Sequence, residues 1–73
     1  QVRDIEYISE YYGLESLHEN LRQAARLRLE KPDASLTELG KMMDPPVSKS
    51  GVNHRFKKLK AFADQMREKG GRL

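Results

Sequence analysis

The chain has 73 residues and no cysteine, with 34% of its side chains charged and a formal net charge of +3. A chain this short makes one small domain that buries only about 60% of the surface its unfolded form exposes, which leaves little room for a catalytic cleft. Without cysteine there is neither a disulfide framework nor a thiolate zinc site, and no apolar run approaches the roughly 18 residues of a membrane span.

Val2, Ile5, Ile8 and Tyr12 recur on one face while Arg3, Asp4, Glu6 and Glu10 lie elsewhere, which predicts an amphipathic helix over Val2–Tyr12. Gly13 supplies its stop. Residues 1–13 read as a linker helix. A first residue Gln1 set inside a helical pattern reads as the C-terminal piece of a longer protein. Tyr7 and Tyr11 stand one turn apart among acidic neighbours. That fits packing or a partner contact better than base stacking, which needs a basic groove around it.

Leu14 to Leu17 is a connector, and a second helix is expected over Leu17–Glu30, with Leu21, Ala24, Ala25, Leu27 and Leu29 on a broad apolar arc. Arg28 interrupts that arc. Its stem is expected to pack and its head to reach solvent or a carboxylate. Lys31-Pro32-Asp33 ends the helix, because proline pushes the residue before it out of the helical conformation. Ser35-Leu36-Thr37-Glu38 is a capping box for a short third helix with Leu36, Leu39, Gly40 and Met43 inward. Gly40 is where a neighbouring helix is expected to come close. Asp44-Pro45-Pro46-Val47 turns the chain, with Val47 as anchor, into a last helix from Ser48 to Lys69 that Ser48 caps. Gly70-Gly71 is expected to stop it, leaving residues 70–73, with Arg72 and Leu73, as a flexible tail.

In that last helix Val52, Phe56, Leu59, Ala63 and Met66 recur at steps of three and four, which gathers them into one apolar stripe. Ser50, Asn53, His54 and Lys57 then fall on the opposite side, with Lys49 and Lys58 at its margins. Charge is divided along the chain in the same sense. Residues 1–48 hold 6 Lys+Arg against 9 Asp+Glu, a balance of −3, whereas residues 49–73 hold 8 against 2, a balance of +6. Cations gathered on one helix are the electrostatic footprint of a nucleic-acid binder. Asn53 and Lys49 are the candidate base readers, with Ser50 and His54 assisting; Arg55, Lys57, Lys58 and Lys60 point towards phosphates. The fold expected is all-α, about four helices, with a helix-turn-helix DNA-binding domain over residues 14–69.

The run Leu36-Thr37-Glu38-Leu39-Gly40, followed by Asp44-Pro45-Pro46-Val47-Ser48-Lys49-Ser50-Gly51-Val52-Asn53-His54-Arg55, resembles the C-terminal helix-turn-helix domain of the WhiA family of bacterial regulators. Leu21 to Leu29 resembles that family's preceding helix. The resemblance implies a bacterial transcriptional regulator linked to sporulation or cell division. It also implies an N-terminal domain related to LAGLIDADG homing endonucleases, of which these residues carry no motif. The same segment is more loosely similar to region four of bacterial sigma factors, whose helix-turn-helix opens with a Leu-x-Glu-[Leu/Val]-Gly pattern. By position, Lys49, Ser50, Asn53 and His54 match places where such helices meet DNA. The Asp-Pro-Pro insertion lengthens the turn, and the second buried contact comes one residue later, at Phe56, so the likeness is one of architecture.

His18 and His54 are the only histidines, 36 positions apart on different helices, with no paired carboxylates around them. A metal centre or general base needs more convergence. Neither an enzyme nor a cofactor is expected. A second reading is a protein-docking module in which the acidic first helix, with Tyr7 and Tyr11, meets a partner. The resemblance suggests a sigma factor, a WhiB-like regulator or the protein's own N-terminal domain. No signal-peptide pattern opens the chain, and the expected setting is the cytoplasm, at the nucleoid. No long heptad demands a dimer, so a monomeric domain is expected.

Overall fold

The structure, a computed structural model, describes residues 2–70, with side chains placed through residue 68. Helix α1 spans Val2–Tyr11 and a single 3-10 turn covers Leu14–Ser16; α2 spans Glu19–Glu30, α3 Leu36–Met42 and α4 Lys49–Gly70. No strand occurs among the described residues. The fold is all-α, as its periodicities predict.

Helix α1 ends where Tyr12 and Gly13 both donate their N–H groups to the Ile8 carbonyl, each at 2.9 Å. Gly13 takes φ +79°, a region open to glycine and strained for residues with a Cβ. The linker helix expected over residues 1–13 is instead a layer of the domain. Ile5 and Ile8 lie in one core with Leu17, Ala24, Ala25, Leu39, Val52, Phe56, Leu59 and Ala63. Arg67 Nη1 of α4 donates to Asp4 Oδ1 at 2.8 Å, and its guanidinium stands 4.7 Å over the Tyr7 ring. Tyr12, expected on the inner face, lies past the end of α1 and is 39% exposed, edge-on to Phe62 with ring centres 6.3 Å apart.

Helix α2 starts two residues later than its pattern predicts, and Leu17 reaches the core from the connector. Ala24 and Ala25 are fully buried, whereas Leu29 is exposed at the end of the helix. Arg28 corrects the expectation that its head reaches solvent or a carboxylate. It is 7% exposed and spends Nη1 on the carbonyls of Lys31, Pro32 and Ala34, at 3.4, 3.1 and 2.7 Å. Those oxygens belong to the end of α2 and the turn after it, where backbone acceptors have no helical donor and a cation is favoured.

The capping box on α3 is complete. Glu38 N–H donates to Ser35 Oγ at 3.1 Å, and Ser35 N–H donates to Glu38 Oε1 at 2.9 Å. Gly40 admits the backbone of the turn as well as the neighbouring α4: a Cβ there would run into the carbonyl oxygen of Val47, with Val52 Cγ2 of α4 at 3.2 Å. Val47 anchors the turn as expected, its side chain packed against the core and its N–H returned to the Gly40 carbonyl at 2.9 Å. Gly70 is the last described residue of α4, and the other three residues of the expected tail lie outside the described residues.

Candidate nucleic-acid interface

Everything at this site follows from how the leading half of α4 is held. Ser48 Oγ accepts the N–H of Gly51 at 3.2 Å, which satisfies one free amide of the first turn and sets where the helix begins. Val47 packs directly over Gly51, where a Cβ would come within 2.6 Å of Val47 Cγ1. The turn is thus locked to α3 at Gly40 and to α4 at Gly51. Behind it, Val52, Phe56, Leu59 and Ala63 are all 4% exposed or less.

With that stripe turned inward, Lys49, Ser50, Asn53, His54, Lys57 and Lys58 are exposed together on the outer side of α4. Two other candidates stand differently. Arg55 is half-buried at the edge of the face, and its Nη1 donates to Met43 Sδ at 3.2 Å. Lys60 is exposed but paired with Asp64, Nζ to Oδ2 at 2.8 Å. The hydrogen bond to Asp64 raises the Lys60 pKa, and the same bond is the largest cause that lowers that of Asp64. Arg67 adds a second contact to Asp64 at 3.3 Å. From Lys60 onward, then, the cations of α4 among the described residues are paired, and its unpaired positive charge there lies in its first half.

The structure also joins residues that sequence spacing keeps apart. A groove of about 380 Å3 between the start of α2 and the middle of α4 is lined by His18, Asn20, Leu21, His54, Arg55 and Lys58. His18 and His54 therefore share one wall-to-wall opening. No periodicity signals this, because it arises from how α2 crosses α4. Among the described residues no group of three or more His, Cys, Asp or Glu side chains is placed to hold a metal ion. No described helix is long and apolar enough to cross a membrane.

An exposed helix face of amide, hydroxyl, imidazole and ammonium groups is chemically suited to base edges and phosphates, and its width of about 10–12 Å matches a B-DNA major groove. Comparison with known proteins points the same way. The family profile described as the WhiA C-terminal HTH domain matches residues 1–63. "Probable cell division protein WhiA" of Clostridium acetobutylicum is 53% identical over 70 residues, covering 96% of this chain and 22% of that protein. The protein of the same name from Carboxydothermus hydrogenoformans is 54% identical over 67 residues, covering 92% of this chain and 22% of its own length. The crystal structure of full-length DUF199/WhiA from Thermatoga maritima superposes with a TM-score of 0.82 at 39% identity, over 88% of this chain and 22% of that one. The chain thus spans about a fifth of the length of these relatives.

Proposed function

The chain belongs to the WhiA family, matching its C-terminal helix-turn-helix domain, and we propose that it binds duplex DNA sequence-specifically as part of a bacterial transcriptional regulator. The observation that carries this reading is the one-sidedness of α4: Val52, Phe56 and Leu59 are buried while Ser50, Asn53, His54 and Lys57 face out. In this reading the N-terminal half of α4 enters the major groove. Asn53 and Lys49 address base edges with Ser50 and His54 assisting, and Arg55, Lys57 and Lys58 meet phosphates. Lys60 joins them only by leaving Asp64. An ion pair this exposed contributes little, because solvent screens it, so the exchange is easy.

The names of the relatives support a role in cell division, and the proposal places it in the cytoplasm at the nucleoid, with the domain binding as a monomer. Selection of bound fragments from random duplexes by the 73-residue chain tests the proposal. Enrichment of one motif, with binding that weakens steeply as salt rises, supports it. Undetectable binding at low salt removes it. One observation favours the protein-docking alternative in that event: Tyr11 is 65% exposed beside Tyr7, their ring centres 4.9 Å apart, on acidic α1. Such a patch suits the rest of the protein, a sigma factor or a WhiB-like regulator.

A further inference from the structure

We infer that the groove between the start of α2 and the middle of α4 seats a backbone phosphate of the DNA that α4 reads. The inference rests on the DNA-binding reading above and extends the interface to α2, which lies in the acidic part of the sequence. The polar side chains lining the groove are His18 and Asn20 from the start of α2 and His54, Arg55 and Lys58 from α4. All of them present N–H donors, and among the described residues no carboxylate lines the opening. A phosphate offers only acceptors, so a donor-rich, carboxylate-free lining selects it.

Position identifies the source of that phosphate. His54 and Lys58 form the flank of α4 next to its outward residues Asn53 and Lys57. An α-helix about 10–12 Å across in a major groove about 12 Å wide brings its flanks against the sugar-phosphate backbones. On this flank α2 supplies a second wall, and a backbone running along it passes between the two helices. Arg55 is set before binding, steadied by Met43 Sδ at 3.2 Å, so it loses less rotamer freedom on meeting a ligand. The His18 side chain makes no capping bond to its own helix, so its imidazole is available to the groove.

The test is fluorescence anisotropy of the 73-residue chain on two duplexes, a selected site and a scrambled one, across a salt series. His18→Ala is the informative variant, because it lies outside α4 and removes no lysine or arginine. It should weaken both duplexes by the same factor, several-fold, and His18→Gln, which keeps a donor, should restore most of the loss. Lys58→Ala should lower the salt slope by about 0.9. Because both residues meet one phosphate, the double variant should lose less than the two single losses combined. Both positions are exposed, and unchanged thermal melts establish that the variants are folded. Affinity and slope unaltered by His18→Ala and Lys58→Ala would overturn the seat while leaving DNA binding intact. A loss confined to the selected duplex would overturn it as well, since it would mean base contact. Failure of the unsubstituted chain to bind either duplex would overturn the parent reading and the seat together.

Discussion

The guanidinium of Arg28 lies 5.3 Å from the centre of the Phe56 ring while its Nη1 donates to the Ala34 carbonyl at 2.7 Å. One side chain thus ties the turn between α2 and α3 to the buried face of α4. Among the described residues its positive charge meets no carboxylate; backbone oxygens and an aromatic face balance it instead. Arg28→Met keeps most of the packing but strips a donor from three carbonyls. It should lower the unfolding free energy by about 1–3 kcal/mol in urea titrations. An unchanged or higher stability would mean that water serves those carbonyls equally well.

Gly40→Ala sets two effects against each other. Alanine favours the helix by about 1 kcal/mol, but the new methyl meets the Val47 carbonyl, a backbone atom that cannot swing away. Overpacking of this kind typically costs about 1–3 kcal/mol, so the clash should win. A lowered melting temperature with weaker binding to every duplex is expected, because the angle between α3 and α4 must open. A stabilised Gly40→Ala would show that the turn is softer than its Val47–Gly40 hydrogen bond implies.

Base reading and phosphate contact separate by their signatures. Asn53→Ala should lose about 1–3 kcal/mol at the preferred site and relax preference at one base pair. Lys57→Ala should weaken all sequences alike and reduce the salt slope by about 0.9. If both variants merely melt earlier and bind normally, the outward face of α4 is not the interface.

Acid should loosen α3 in a defined direction. The backbone N–H of Ser35, and next its hydroxyl, hold the Glu38 carboxyl below the usual carboxylate range. A depressed folded pKa contributes stability above the unfolded value of about 4.3 and loses it as pH falls through the folded one. Asp64, lowered first by its bond from Lys60, acts in the same sense. The melting temperature should therefore fall as pH drops from 5 towards 2, and Glu38→Gln should show a smaller fall. Parallel curves for the two proteins would exclude this linkage. Ser35→Ala, which deletes the cap itself, should cost about 0.5–2 kcal/mol at neutral pH.

The stripe on α4 and the capping box of α3 were legible in the sequence because both are local: one repeats with the helical period, the other is a four-residue pattern. Arg28 was not. An arginine inside an apolar arc reads as a side chain escaping to water, and its true acceptors exist only once the chain turns back after Pro32. The place of α1 was hidden for a related reason, since Ile5 and Ile8 announce an apolar face without saying what covers it. Among the candidate site residues, the outward positions followed from the wheel. Arg55 reaching back to Met43, and His18 converging on His54, depend on how separate helices cross.

The ion pairs that Asp64 makes with Lys60 and Arg67 have an effect beyond the trailing half of α4. By cancelling charge there, they leave α4 electrically lopsided among its described residues, with its unpaired cations towards the end that begins at Lys49. In the field of a polyanion such a body is rotated while still diffusing. It would arrive at a duplex already facing it, so that a larger share of collisions is productive; Asp64 would then govern the speed of capture from a place that never touches the captured molecule.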